Sequence, residues 1–120
     1  MKNPDVKFSQ IEDYIKENKD ESGINRYGFS KALLNSYTMA LAKEHGSNIL
    51  VSSISPGWVK TRMGGNSAEL TPEEGTRSIR HCLFSQLGGN GWYFGSDAKR
   101  SPLHLQRNPG EPEYDGALLI

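Results

Sequence analysis

The feature that most constrains the fold is an apolar segment, residues 48–55, which directly follows a long helical pattern. This segment contains Ile49, Leu50, Val51 and Ile54, so it is apolar on both faces. Such a pattern is typical of an interior strand in a parallel sheet. The strand needs neighbouring strands, and a chain of 120 residues can form one domain with a core of modest size.

Two helices are predicted before this strand. The first is short and amphipathic, ends near Asn18, and is indicated by three apolar residues at helical spacing: Phe8, Ile11 and Ile15. The second extends from Asn25, at the N-cap, to His45, with Gly46 as its C′ residue. The apolar stripe of the second helix contains three residues: Leu34, Tyr37 and Leu41.

A third helix and a last strand are predicted after the apolar segment. Residues 71–74, Thr-Pro-Glu-Glu, combine an N-cap residue, a proline at N1 and a capping-box glutamate at N3. The buried face of this helix is predicted to contain three residues: Ile79, Cys82 and Leu83. Residues 88–91, Gly-Gly-Asn-Gly, then end the helix before a short strand at 92–94.

Tyr27 and Lys31 are the first candidate catalytic residues. A spacing of four on a helix places phenol and ammonium on one face. A neighbouring cation favours the phenolate, and such a phenol can exchange a proton with a carbonyl or alcohol oxygen. The alternative is an ordinary exposed helix pair, which contributes about 0.2–0.5 kcal/mol.

The apolar segment ends at Pro56-Gly57, where an α/β sheet presents a ligand. From this point the motifs indicate one particular protein family. Residues 24–75 resemble the second half of a short-chain dehydrogenase/reductase, whose Tyr-x-x-x-Lys pair is followed one strand later by Pro-Gly-x-Val-x-Thr. Residues 56–63, Pro-Gly-Trp-Val-Lys-Thr-Arg-Met, are most similar to the carbonyl reductase branch. An ordinary turn after a strand is the alternative.

The resemblance implies an α/β fold, namely the C-terminal part of a Rossmann-like doubly wound parallel sheet with its N-terminal half absent. It divides this partial domain into an insert-like helix and linker over 1–23, a catalytic part over 24–95 and an extended tail over 96–120. The Gly-rich phosphate turn and the catalytic serine of the family have no match here. Neither Ser9 nor Ser22 takes the serine role, because neither is predicted at a strand end.

Roles for individual residues follow from the same resemblance. Tyr27 would be the general acid in carbonyl reduction, and Lys31 would bind the nicotinamide ribose hydroxyls. These two also contact the cofactor together with the residues that hold its carboxamide: Pro56, Gly57, Val59 and Thr61. Trp58 would wall the substrate pocket, and Met63 belongs to a loop similar to the mobile substrate loop of the family.

The implied function is oxidoreduction, the reduction of a ketone or aldehyde with NADP(H), while NAD(H) is not excluded. The partner would be a small-molecule carbonyl substrate, the full-length form a monomer, and the isolated chain inactive. The alternative is a truncated, catalytically incompetent fragment that acts only as an interaction or pairing module. An unpaired strand at 48–55 would leave a sheet edge and an apolar face open to such pairing.

Composition fits a small-molecule partner. Lys plus Arg equals Asp plus Glu at 14 each, so no net charge favours nucleic acid or an anionic membrane. One cysteine, Cys82, excludes an internal disulfide and fits a reducing, cytoplasmic location. No apolar run approaches the ~20 residues of a membrane span, and no signal peptide is apparent at the start. The three histidines are scattered, so no metal site is expected: His45, His81 and His104.

Overall fold

The computed structural model of the chain describes residues 5–19, 24–103 and 107–116. Its elements, in chain order, are α1 (Phe8–Glu17), α2 (Ile24–His45), β1 (Ser52–Ile54), α3 (Pro72–Gly75), α4 (Arg77–Phe84), β2 (Trp92–Phe94) and β3 (Arg100–Ser101). The chain divides into a first compact unit, Met1–Ser53 with Gly89–Trp92, and a second, Ile54–Gly88 with Tyr93–Ile120. Two helices, one strand, two further helices and two strands follow one another in the chain, which confirms the predicted α/β class.

Helix α1 packs against α2 through a small apolar core in the first unit. This core contains five residues: Val6, Phe8, Ile11, Leu33 and Ala40. The rings of Phe8 and Tyr37 extend the contact, with centroids 5.0 Å apart. The predicted end of α1 is confirmed, because the Asn18 N–H caps the helix by donating to the Tyr14 carbonyl at 3.2 Å. Ile15, predicted on the apolar face, is exposed.

Helix α2 buries small residues rather than its predicted apolar stripe. Leu34 and Tyr37 of that stripe are exposed, whereas the buried positions are these four: Ser36, Thr38, Ala40 and Ala42. The Ser36 and Thr38 hydroxyls each donate to the carbonyl one turn earlier at 3.0 Å. A hydroxyl bonded to its own helix can be buried without an unsatisfied group. The stripe prediction was therefore wrong for Leu34 and Tyr37, because small side chains occupy the buried positions of this helix.

The predicted end of α2 at His45 is confirmed, whereas its start differs from the prediction. The helix begins at Ile24, so Asn25 lies inside it and not at the N-cap. Gly46 follows the last helical residue, but its φ is not in the left-handed region. Glycine is needed there for space, because a Cβ would lie 2.3 Å from the Ala42 carbonyl oxygen.

The three strands form one sheet in the order β1-β2-β3. Strands β2 and β3 are antiparallel, with Tyr93 opposite Ser101 and Phe94 opposite Arg100. The short strand predicted at 92–94 is therefore confirmed as β2.

Strand β1 is much shorter than the predicted 48–55. Asn90 replaces a strand partner in front of it: its Oδ1 accepts the Val51 N–H at 2.7 Å, and its Nδ2 donates to the Ile49 carbonyl at 2.9 Å. Ile49 and Leu50 are exposed, so they are not interior strand residues within this structure. An amide side chain satisfies the backbone where the sequence predicts a ladder.

The predicted start of the third helix is confirmed at Thr71. Thr71 is the N-cap of α3, Pro72 is its first residue, and Glu74 completes a capping box. The helical segment then separates into α3 and α4 at Thr76. The predicted buried face is wrong: Leu83 is 69% exposed and Ile79 is also exposed, whereas Ser78 is fully buried.

Ser78 is buried because its hydroxyl has a partner. It donates to the Gly95 carbonyl just after β2, so a polar side chain joins α4 to the sheet. On the next turn, the His81 ring contacts the buried Phe94 ring edge-on, with centroids 5.2 Å apart. These contacts decide which face of α4 points inward.

Part of the predicted tail returns to β3. The Tyr114 N–H donates to the Arg100 carbonyl at 3.1 Å, and the Arg100 guanidinium lies 5.0 Å from the Tyr114 ring. The Arg100 N–H in turn donates to a Glu113 carboxylate oxygen at 2.9 Å. Residues 107–116 are thus anchored at this strand. None of the helices in the described residues is both long and apolar enough to cross a membrane.

The capping box predicts an acid-dependent contribution to stability. The Thr71 N–H, which donates to the Glu74 carboxylate at 2.7 Å, holds the pKa of Glu74 below its ordinary value. A folded-state pKa below the unfolded value means that the contribution is present above the unfolded pKa. It is lost as the pH falls through the folded pKa.

We therefore expect Glu74→Gln, which cannot titrate, to flatten part of the fall in unfolding midpoint between about pH 7 and pH 3. The measurement is thermal unfolding across this range in a folded protein that carries the segment. Glu73→Gln is the matched control, since the neighbouring Glu73 carboxylate forms no hydrogen bond with the described residues. Equal pH profiles for Glu74→Gln and the parent would contradict the prediction.

Candidate active site

Tyr27 and Lys31 lie one turn apart on α2, as their spacing predicts. The Lys31 ammonium nitrogen is 5.3 Å from the centroid of the Tyr27 ring, a cation–π distance. Tyr27 is 71% exposed, so its phenol is accessible to a ligand. Helical spacing alone brings the two side chains together.

The cation of Lys31 is available for a further contact. Within residues 5–19, 24–103 and 107–116, Lys31 forms no ion pair with a carboxylate. Its ammonium therefore keeps hydrogen-bond donors for a polar ligand. The rings of Phe29 and Tyr14, with centroids 5.4 Å apart, pack this turn of α2 against α1. The pair thus lies on a helix that is held in place on its other side.

The Pro56–Gly57 turn requires glycine for two reasons. Gly57 has a φ of +79°, a left-handed conformation that side chains disfavour. A Cβ at this position would also lie 2.6 Å from Leu70 Cδ1 and 2.9 Å from Ser96 Cβ. The segments that contain Leu70 and Ser96 therefore pack against the turn on the side where Gly57 has no side chain.

The backbone N–H and carbonyl of Val59 form no hydrogen bond with Leu70, which lies beside it. It forms an isolated parallel bridge with Leu70. The Lys60 N–H donates to the Leu70 carbonyl at 2.8 Å, and the Leu70 N–H donates to the Trp58 carbonyl at 3.1 Å. Because both bonds use the residues that flank Val59, its own N–H and carbonyl point away from Leu70. The Val59 carbonyl oxygen faces Gly64, where an added Cβ would lie 2.0 Å from it, and the Val59 N–H is a donor on the other edge of the turn.

Two hydrogen bonds to Gly64 close the loop after the turn. Trp58 Nε1 donates to the Gly64 carbonyl at 3.0 Å, and the Gly64 N–H donates to Thr61 Oγ1 at 3.0 Å. The Thr61 oxygen is therefore used as an acceptor, while its hydroxyl proton stays available as a donor. Met63 lies in this loop with 95% of its surface exposed.

The structure brings the predicted site residues together as two groups. Tyr27 and Lys31 belong to the first unit. The second unit contains the others: Pro56, Gly57, Trp58, Val59, Thr61 and Met63. Lys31 lies against the Tyr27 ring in the first unit, and Gly64 is bonded to both Trp58 and Thr61 in the second.

Sequence reasoning missed the residues that hold the turn. Leu70 and Ser96 pack against Gly57, and a buried ion pair between Asp97 and Arg107 lies next to Ser96 in the chain. A glycine after a proline signals an unusual backbone, but it does not indicate which segments pack there. These contacts join positions 13 to 39 residues from Gly57, so no local spacing could reveal them.

The part of the chain that the structure describes contains no group of three or more His, Cys, Asp or Glu side chains placed to hold a metal ion. His45 lies 3.8 Å from the Glu44 carboxylate, and His81 contacts Phe94. His104 lies outside the described residues.

Comparison with known protein families identifies the family of this chain. A family model described as Enoyl-(Acyl carrier protein) reductase matches residues 12–82, which is more than half of the chain. This chain belongs to the short-chain dehydrogenase/reductase family. All predicted residues of the site lie within the matched range.

Several relatives support this short-chain dehydrogenase/reductase assignment. A short chain dehydrogenase of Arthrobotrys oligospora is 33% identical over an alignment of 100 residues that covers 71% of this chain and 31% of that protein. Salutaridine reductase of Papaver bracteatum is 38% identical over 69 residues, which are 57% of this chain and 22% of that protein.

A solved structure is similar as well. The carbonyl reductase Sniffer of D. melanogaster matches with a TM-score of 0.53 and 35% identity, over 68% of this chain and 34% of that chain. The Rossmann-like fold class predicted for this part of a short-chain dehydrogenase/reductase is thereby confirmed. This chain spans about a third of the lengths of the Arthrobotrys and Drosophila proteins and about a fifth of salutaridine reductase.

The crowding at Gly57 can be separated from its backbone strain by comparison with Gly65. Gly65 also has a positive φ, +73°, but a Cβ there would have nothing within 4 Å. We expect Gly65→Ala to lower the free energy of unfolding by about 1 kcal/mol. Gly57→Ala should lower it by about 2–4 kcal/mol, because a steric clash adds to the strain.

The measurement is the urea midpoint of both variants in a protein that carries this segment. Equal losses for the two alanines would show that Leu70 and Ser96 do not restrict the turn.

Proposed function

We propose that this chain is the C-terminal part of a short-chain dehydrogenase/reductase that reduces a ketone or aldehyde carbonyl with a nicotinamide cofactor. The observation that carries the proposal is the Tyr27–Lys31 pair, with an accessible phenol and an ammonium 5.3 Å from its ring centroid. Family membership supports oxidoreduction in general. Relatives named as reductases support the carbonyl class.

In this proposal, Tyr27 donates its phenolic proton to the oxygen of the substrate carbonyl, which becomes an alcohol. The Lys31 cation stabilises the phenolate that remains, since an adjacent positive charge favours the ionised form. The ammonium group of Lys31 would also donate hydrogen bonds to the ribose hydroxyls of the cofactor. The bound cofactor supplies the hydride.

The residues of the turn fit the nicotinamide end of the cofactor. A carboxamide needs an acceptor for its N–H and a donor for its oxygen. The Val59 N–H and the Thr61 hydroxyl are the donors, and the Val59 carbonyl, which points away from Leu70 and faces Gly64, is the acceptor. Gly57, without a side chain, leaves room for Leu70 and Ser96 to pack against the turn and hold it in place. The turn would thereby fix which face of the nicotinamide is presented.

The finer assignments rest on the carbonyl reductase resemblance of residues 56–63. On that basis we assign NADP(H) as the cofactor, although NAD(H) has the same nicotinamide end. The full-length form would be a cytoplasmic monomer that acts on a small-molecule carbonyl compound, with Trp58 and Met63 beside the substrate. The isolated chain would be inactive, because the phosphate-binding turn of the family has no match in it.

One observation favours the second candidate function, a fragment that acts only by pairing with another chain. Large apolar side chains are exposed in several parts of the chain, including Leu34, Leu50 and Phe84. A pairing module needs such faces, whereas it needs no accessible phenol. Enzymatic activity in a longer form that carries this segment separates the two functions.

We expect Tyr27→Phe in such a form to lower kcat for carbonyl reduction by about 10²–10⁴-fold, because only the transferable proton is lost. The dissociation constant of the oxidised cofactor should stay close to that of the parent. Tyr37→Phe is the matched control, since Tyr37 lies on the same helix and its ring packs on Phe8; it should keep full activity. Lys31→Ala should impair both turnover and cofactor binding.

Parent and Tyr27→Phe with equal turnover would remove Tyr27 from the mechanism. A parent without any carbonyl reduction would favour the pairing module.

Thr61→Val tests the role of the turn. We expect it to lower kcat by about tenfold or more and to reduce the selectivity of hydride transfer from a cofactor deuterated on one face. Thr61→Ser keeps both the acceptor for the Gly64 N–H and the donor, so it should resemble the parent. If Thr61→Val retains turnover and face selectivity, the hydroxyl serves the loop alone.

A further inference from the structure

A buried ion pair joins Asp97 to Arg107 in the second unit. Arg107 Nη1 donates to Asp97 Oδ1 at 3.1 Å and Nη2 pairs with Asp97 Oδ2, so the contact is bidentate. The two side chains are only 14% and 6% exposed. Arg107 Nη1 also donates to the Asn108 carbonyl at 3.2 Å, and the Arg107 N–H donates to Ser101 Oγ at 2.9 Å. These bonds fix the pair in one geometry.

Asp97 lies inside a tight turn formed by residues 95–99. The Ala98 N–H donates to the Gly95 carbonyl at 3.0 Å. Ala98 has a φ of +63°, which is strained for a residue that has a Cβ. This turn therefore needs contacts that hold it in place. The ion pair is one such contact, and the Ser78 hydroxyl bound to the Gly95 carbonyl is another.

The 95–99 turn supports the Pro56–Gly57 turn through Ser96. A Cβ at Gly57 would lie 2.9 Å from Ser96 Cβ and 3.3 Å from Ser96 Oγ. Ser96 directly precedes Asp97, so the position of the Ser96 backbone depends on the ion pair between Asp97 and Arg107. Gly57 therefore rests against a segment whose position is fixed by a residue near the C-terminus.

We propose that Arg107 is a positioning residue, which acts through Asp97 and Ser96 to hold Gly57 where the turn can orient a nicotinamide carboxamide. The inference rests on the proposed function. A buried ion pair contributes little net stability, because desolvation of both charges offsets their attraction. A bidentate guanidinium–carboxylate pair does, however, fix distance and angle. The pair is thus better suited to positioning than to stabilisation.

The test compares Arg107→Lys with Arg100→Lys in the longest purified form that carries this segment. Lysine keeps the charge of Arg107 but loses its planar, two-pronged donor geometry. Arg100 is the matched control, because its guanidinium lies against Tyr114 in the same C-terminal part. A second variant combines Arg107→Met with Asp97→Asn, so that neither charge remains buried alone.

The first measurement is amide hydrogen exchange at residues 57–60, because it does not depend on activity. We expect about tenfold faster exchange in Arg107→Lys and in the double variant, and parent-like exchange in Arg100→Lys. At a temperature where every variant is folded, kcat should fall by about tenfold. Hydride transfer from a deuterated cofactor should also become less face-selective.

Unchanged exchange at residues 57–60 in Arg107→Lys and the double variant overturns the inference, whatever the activity. Faster exchange with unaltered kcat and face selectivity also overturns it, because the pair would then be structural only. Failure of the proposed function has a separate signature, namely equal carbonyl reduction by the parent and Tyr27→Phe. The exchange result would still decide whether Arg107 holds the turn.

Discussion

The packing around Gly57 is the constraint on which the second unit depends most. Its backbone has a left-handed φ of +79°, and Leu70 and Ser96 occupy the space that a side chain would need. Three segments far apart in the sequence thus meet at a residue without a Cβ. Because the turn is held by these segments, its backbone groups keep fixed directions, which is what recognition of a planar amide requires.

Polar side chains bind the backbone at several points where strands would otherwise do so. Asn90 satisfies the N–H of Val51 and the carbonyl of Ile49, and buried Ser78 binds the carbonyl of Gly95. Buried backbone groups must find partners, and side chains provide them here. The strands are only two or three residues long, although the apolar pattern at 48–55 is longer.

The two groups of candidate residues obtain their geometry in different ways. Tyr27 and Lys31 are related by one turn of a single helix, so their 5.3 Å contact follows from local structure. The turn at Gly57 depends on partners from the rest of its unit, including the segment that Arg107 holds through Asp97. For proton transfer, the phenol of Tyr27 can be placed by its own helix. To orient a cofactor, the turn at Gly57 needs rigid support from other segments. The proposed function uses both.

The sequence by itself determined the family, the α/β class, the capped start of α3 at Thr71 and the proximity of Tyr27 and Lys31. The last two depend on residues within one turn or one short motif, where bond geometry fixes the outcome, and the first two follow from the order of motifs and elements along the chain. Only the tertiary structure decided that Ser78, and not the neighbouring apolar residues, is the buried position of α4. It also decided that Arg107 pairs with Asp97. Burial and ion pairing depend on which distant segments meet, and neither apolar periodicity nor charge spacing contains that information.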